Sequence, residues 1–273
     1  MEPATTAWIA QVRKVLASGD RVAPRGKETV EIRRSLVEYD ARSPVVVEPG
    51  RKLSWKFLSG EALWILSGSD KVEDIAPYNK KIAEYSDDGR TFFGAYGPRV
   101  ISQVGSVVSA LAKDADSRQA VISIWRENPP ETKDVPCTVA LHFQIRRSIL
   151  DVIAFMRSSD VWLGLPYDMF NFAVVGWRVA AELNDRGRGE IRPGRVSIFA
   201  ASSHIYIDDV ERATEITRPR KDDDQVMEII DADGRASLRK DTRVLSSYAG
   251  FEDVIDELTN ARDEDRPPRL SLL

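Results

Sequence analysis

Apolar positions along the chain follow two spacings, and each predicts a different kind of element. In residues 5–17, Ile9, Val12, Val15 and Leu16 gather on one side at helical spacing, which predicts an amphipathic helix. A turn-rich stretch, SGDRVAPRGKETVEI, follows and leads into a short strand. LSGEALWIL reads as a buried helix carrying one glutamate, Glu61, and GSVVSALAKDADSR as a helix ending near Lys113. Residues 67–97 are polar and aromatic without a clear period. QAVISIW reads as a strand. CTVALHFQI alternates, with Val139, Leu141, Phe143 and Ile145 on one face, and ILDVIAFM is a further run of strand length. The short RRS between these two predicts a hairpin, so three strands in a row predict an antiparallel meander. Residues 169–183 carry Phe172, Val175, Val179 and Leu183 at helical spacing and are apolar on several sides, which predicts a central buried helix. RVSIFAASSHIYI is another strand. The order gives an α+β pattern without regular alternation, expected as one domain over residues 1–273, with 261–273 as a loosely held charged tail.

Composition narrows the function. The 273 residues are 42% hydrophobic and 30% charged, with a net charge of -4. No global basic field exists to hold nucleic acid or an anionic membrane, so an anionic ligand would need locally gathered arginines. One cysteine excludes an internal disulfide, and with only two histidines no metal site is expected. The N-terminal residues lack a signal-peptide pattern, and no apolar run reaches the roughly 20 residues of a membrane helix. A cytoplasmic location is the expectation, with the thiol kept reduced.

That single cysteine, Cys137 in DVPCTVALHF, is open to two readings: a small buried hydrophobe or a nucleophile. RSSDVWLGLPYDMFNF gathers Arg157, Asp160 and Asp168 around a Gly-Leu-Pro bend, and SSHIY sets His204 and Tyr206 two apart. Each of these stretches alone also fits an ordinary exposed loop or a packed strand.

Together the stretches resemble the thymidylate synthase family, which includes the pyrimidine-nucleotide hydroxymethylases. VPCTVALHFQI resembles the family's Pro-Cys nucleophile strand, and RSSDVWLGLPYDMFNF its Arg-Ser-x-Asp-x-x-Leu-Gly-Leu-Pro-Phe-Asn-x-x-x-Tyr signature. DSRQAVISIW resembles its Asp-Ser-Arg-Arg strand, GEALWILSG its Glu-Leu-Leu-Trp helix, GAYG its Gly-x-x-Tyr-Gly, and SSHIY its His-x-Tyr. The similarity runs from about Trp8 to Ile207 in the family's own order.

The resemblance implies the family's fold, a mixed and largely antiparallel sheet around a buried helix, and a folate-dependent transfer to carbon 5 of a pyrimidine nucleotide. It implies that Cys137 is the nucleophile, that Glu61 relays protons near position 4 of the ring, and that Tyr96 is an active-site tyrosine. Arg157, Ser158 and, more loosely, Arg25 match the phosphate-binding residues, with Arg21 as the competitor to Arg25. Arg118 matches an arginine that reaches the partner subunit's phosphate, which implies a homodimer. His204 and Tyr206 match the sugar-binding pair. Asp160 and Gly164 match positions that meet the co-substrate, 5,10-methylenetetrahydrofolate. Nearby arginine is expected to favour the Cys137 thiolate.

Four departures carry information. Asp168 stands where thymidylate synthases have asparagine. An amide answers uracil at N3 and O4, whereas an ionised carboxylate only accepts hydrogen bonds and suits the amino group of cytosine. No tryptophan lies between Trp64 and Trp125, and Ile82 falls near the position of a tryptophan that shields the one-carbon intermediate from water. Gln119 and Thr138 replace an arginine and a histidine. The expectation is a cytidylate 5-hydroxymethylase, with CMP preferred over dCMP as in nucleoside-antibiotic biosynthesis. A dCMP hydroxymethylase, a thymidylate synthase acting on dUMP and a non-enzymatic nucleotide binder are the alternatives.

Overall fold

The computed structural model describes residues 2–218 and 251–269. Helix α1 (Ala4–Ser18) precedes strands β1 (Asp20–Val22) and β2 (Thr29–Asp40). Helices α2 (Trp55–Ser67), α3 (Val72–Ile75) and α4 (Gly97–Lys113) follow. Then come β3 (Val121–Ser123), β4 (Thr138–Arg146), β5 (Ile149–Met156) and the two-residue β6 (Ser159–Asp160). Helix α5 (Leu165–Asp185), β7 (Arg192–Tyr206), α6 (Ile207–Thr217) and α7 (Phe251–Glu264) complete the described chain.

The sheet runs β1-β2-β7-β5-β4-β3, with β6 paired to β7. Its neighbours are antiparallel except where β5 and β6 meet β7. The predicted meander is β3-β4-β5. Its hairpin is a two-residue turn in which Arg147 and Ser148 both take positive φ, 52° and 60°, and Arg146 faces Ile149. One sheet face presents Leu141, Phe143, Val152, Ala154, Val196 and Ile198, all buried, to the apolar side of α5. The helix lies so close to β5 that a Cβ at Gly176 would come within 2.7 Å of Val152 Cγ2. Trp177 Nε1 on α5 donates to Ala41 O at 3.1 Å, and Trp8 Nε1 on α1 donates to Val161 O at 2.6 Å. Two indoles are thus buried without losing their hydrogen bonds.

Several expectations are corrected. The strand after the turn-rich loop is 12 residues long, not short. Its inward positions change phase, from Val30 and Ile32 to Ser35, Val37 and Tyr39, where Arg34 adopts φ 59°. The opposing β7 changes phase with it, from Ala200 to Ser203. Val139 does not share the buried face of Leu141, Phe143 and Ile145. It is 37% exposed, because the register shifts between Thr138 and Ala140 and reverses the side of the first residue. The unplaced segment holds α3, a 3-10 turn over Lys80–Tyr85 and an isolated bridge from Lys71 to Thr91. Residues 261–264, expected in a loose tail, form the last turn of α7. Arg266 pairs with Glu257, and Lys56 N on α2 donates to Asp265 Oδ1 at 3.3 Å. The final LSLL lies outside the described residues.

Candidate active site

Four elements bring their polar residues to one cavity. Cys137 stands immediately before β4, and Arg157 immediately after β5. The backbone N–H of Arg157 donates to Cys137 O at 2.9 Å, extending the strand pairing by one bond. Helix α2 carries Glu61, and the loop entering α4 carries Tyr96. The first turns of α5 carry Asp168 and Asn171. Cys137, Glu61, Tyr96, Asp168 and Asn171, with Trp64, Ile65, Ile82, Tyr85, Phe92 and Asp134, line a half-open cavity of about 680 Å³, mouth included, and Arg157 stands behind Cys137.

The local sequence explains how each side chain is aimed. Helix α2 starts at Ser54, whose Oγ accepts from Phe57 N at 3.3 Å, and stops at Gly68 in the left-handed region. Its length turns the Glu61 carboxylate to the cavity, where Asn171 Nδ2 donates to Oε2 at 2.7 Å. Burial pushes Glu61 up to about 7, against the pull of that hydrogen bond. Asp168 is raised well above the usual carboxylate range, first by burial and then by the charges of Glu61 and Asp160. Two carboxyls in one apolar hollow resist ionising together.

The arginine has a smaller effect on the thiol than the sequence suggests. Arg157 approaches Cys137 Sγ at 3.9 Å, while its guanidinium donates to Pro136 O at 2.9 Å and Val135 O at 2.8 Å. Its charge lowers the thiol pKa, but burial outweighs it and pushes Cys137 up. The balance thus runs against the expectation: burial, not the arginine, has the larger effect on the Cys137 thiol.

Beyond the cavity wall, His204 and Tyr206 stack edge to face with centroids 5.2 Å apart. Burial lowers His204, and the charges of Arg25 and Arg157 add to the effect. The charge of Arg25 also acts on Tyr206, against the rise that burial causes. Arg25, rather than Arg21, thus joins Arg157 around the histidine. Ser158 continues the turn from Arg157 to β6. Asp160 Oδ1 accepts from Trp162 N at 3.0 Å and Leu163 N at 2.9 Å, and burial raises its carboxyl to about 6. A Cβ on Gly164 would project to within 3.8 Å of Asp168 Oδ2, so the glycine leaves space beside the cavity. Arg118 and Gln119 are exposed on the loop before β3 and do not line the cavity.

A family model described as thymidylate synthase matches residues 6–249. The chain belongs to the thymidylate synthase family. It is 31% identical over 220 residues to the deoxyuridylate hydroxymethyltransferase of Bacillus phage SP01, covering 71% of this chain and 55% of that protein. It is 27% identical over 217 residues to the thymidylate synthase of Enterobacteria phage T4, covering 71% and 73%. A deoxyuridylate hydroxymethyltransferase of Pseudomonas phage M6 is 37% identical over 156 residues, covering 54% and 43%. The chain spans about half the length of the two hydroxymethyltransferases it matches. Both are named for deoxyuridylate, not cytidylate. Methylenetetrahydrofolate is the family's co-substrate.

Within this family member, the sequence flagged Thr138 as a departure without giving its role, and Asp134 and Asn171 escaped sequence reasoning. Thr138, at the position that matches the family's histidine, holds Tyr96: its Oγ1 donates to Tyr96 Oη at 2.9 Å and its N–H reaches the same oxygen at 3.3 Å. Asp134 Oδ2 accepts from Gly94 N at 2.6 Å and so ties the GAYG loop to the loop that carries Cys137. Asn171 holds Glu61. A signal for Asn171 was present, since it stands three residues after Asp168 in a predicted helix and so shares its face. Asp134 carried none.

Proposed function

We propose that the protein transfers a one-carbon unit to carbon 5 of a cytidine monophosphate, CMP in preference to dCMP, and releases the 5-hydroxymethyl nucleotide. Asp168 carries the reading. A carboxyl kept protonated by burial offers one donor and one acceptor. Its O–H answers N3 of cytosine, and its carbonyl oxygen accepts from the 4-amino group. The proton can then pass to N3, leaving a charge-assisted pair of carboxylate and cation. Uracil meets the same acid through N3–H and O4 but gains nothing from proton transfer.

Cys137 Sγ adds to carbon 6 of the ring, giving up its proton. The displaced π-electron pair makes carbon 5 nucleophilic and shifts charge toward position 4. Glu61, poised near 7, exchanges a proton there. 5,10-Methylenetetrahydrofolate, beside Asp160 and Gly164, supplies the one-carbon electrophile. Loss of the carbon 5 proton and departure of tetrahydrofolate leave an exocyclic methylene on the ring still bound to Cys137; water adds to the methylene, and the thiolate then departs from carbon 6. Ile82 in the cavity wall, in place of a tryptophan, supports entry of that water. Arg157, Ser158 and Arg25 hold the phosphate, Arg118 comes from a second copy of the chain, and His204 with Tyr206 bonds the sugar.

The names of two relatives favour a second reading, hydroxymethylation of deoxyuridylate. Incubation of the protein with methylenetetrahydrofolate and CMP, dCMP, UMP or dUMP separates the two. The expected result is 5-hydroxymethyl-CMP by mass spectrometry, no dihydrofolate, and no product with Cys137→Ser. Product from dUMP alone would move the assignment to deoxyuridylate, and dihydrofolate with a methylated product would make the protein a thymidylate synthase.

A further inference from the structure

Among the described residues, two cavity-lining side chains each bury a polar atom without a partner: Trp64 Nε1, a donor, and Asn171 Oδ1, an acceptor. Asn171 is 3% exposed and lines the cavity with Glu61, Asp168 and Cys137. Its Nδ2 is committed to Glu61 at 2.7 Å, while its Oδ1 is buried without a partner. Such an orphaned acceptor is unfavourable and rare in a folded interior. Turning the amide round gives no relief while Glu61 is ionised, because Oδ1 would then face a carboxylate oxygen. The bond to Glu61 therefore fixes which end of the amide is left unpaired, and that end asks for a donor.

Asp168 and Asn171 lie three residues apart on α5, on one face of the helix. An aromatic amino group has two hydrogens in the ring plane, one on each side of its C–N bond. Asp168 takes the hydrogen on the N3 side in the pairing argued above. We propose that Asn171 Oδ1 is a specificity-determining acceptor that takes the other hydrogen, so that the pair reads the whole amino group of a cytosine ring. The 4-oxygen of uracil has no hydrogen there and sets lone pairs against Oδ1. The inference rests on the cytidylate reading, and it assigns discrimination to two residues of α5 rather than to Asp168 alone.

The experiment compares kcat/KM for cytidylate and uridylate, at saturating methylenetetrahydrofolate, in the wild type, Asn171→Leu and Asn171→Asp. Leucine keeps the branched shape in a wall shared with Trp64 and Ile65 but removes the acceptor, and with it the donor to Glu61. Its expected effect is a fall of roughly ten- to hundredfold in the cytidylate-to-uridylate ratio, the scale of one unpaired buried group. Any loss of Glu61 orientation lowers both substrates together and leaves the ratio alone. Aspartate keeps an acceptor, and the ratio is expected to stay within a fewfold of wild type. Should the ratio stay unchanged in the leucine variant, the role of Asn171 is overturned while the cytidylate assignment stands. A wild type that itself prefers uridylate overturns the cytidylate assignment and Asn171's role with it.

Discussion

At the residue scale, the site holds carboxyls whose ionisation the fold opposes. Glu61 moves from an ordinary value of 4.5 to about 7 because α2 and α5 enclose it, and Asn171 offsets only part of the cost. A carboxyl raised on folding binds its proton more tightly in the folded state. Its penalty is absent below the unfolded value near 4.5, grows as pH rises toward 7, and is complete above. A shift of that size corresponds to a ceiling of about 3 kcal/mol at 1.36 kcal/mol per pH unit. Glu61 faces a half-open cavity, so solvent reduces the effect to about 1–2 kcal/mol. Glu61→Gln is therefore expected to melt near the wild-type temperature at pH 5 and several degrees higher at pH 8, while losing activity. Equal shifts at both pH values, in melts followed by circular dichroism, would show that ionisation is not the cause. Such a trade of stability for chemistry is ordinary at active sites.

At the element scale, the strand pattern was legible where alternation runs unbroken and illegible where it changes phase. β5 and the buried helix α5 follow directly from their apolar spacing. β2 looked short because its inward positions switch from even to odd at Arg33–Arg34, and Val139 changed face because β4 bulges at its first residue. Both events depend on the partner strand, which no local window contains. The site behaves likewise. Cys137, Arg157 and Asp168 sit in recognisable motifs, whereas Asn171 meets Glu61 across 110 residues of sequence. The β4–β5 hairpin offers a test of local backbone energetics away from the cavity. Arg147 and Ser148 both occupy the left-handed region, which ordinary L-residues adopt at a cost of about 1–2 kcal/mol each. Replacing the pair with Asn-Gly supplies the residues that this turn favours. The double substitution is expected to stabilise the fold by about 1–2 kcal/mol with kcat/KM unchanged. A lower melting temperature would contradict the account of the turn.

At the scale of the whole molecule, the sheet has one covered face and one that the described residues leave bare. On the bare side Leu36 pairs with Phe199, Phe199 with Phe155, and Phe155 with Ala140. Paired positions point the same way, so these side chains form a row across the middle of the sheet. The two phenylalanines stack with centroids 5.8 Å apart, and Leu36, Phe155 and Phe199 are each more than 40% exposed. A folded monomer gains nothing by presenting such a row to water. Arg118, exposed and away from its own cavity, supplies the complementary loose end: in a symmetric pair, each copy can lend an arginine to the other's phosphate. The protein is accordingly expected to sediment as a homodimer, and Phe199→Asp, which places a charge in the middle of the row, to shift it to monomer with loss of activity. Shared sites give a sharper readout. Arg118→Ala and Cys137→Ser are each expected to be inactive or nearly so. After unfolding and refolding together in equal amounts, half of the dimers carry one of each, and one site per mixed dimer then has both residues. Activity should recover to roughly a quarter of wild type. Recovery no greater than the sum of the separate variants would mean that each chain completes its own site.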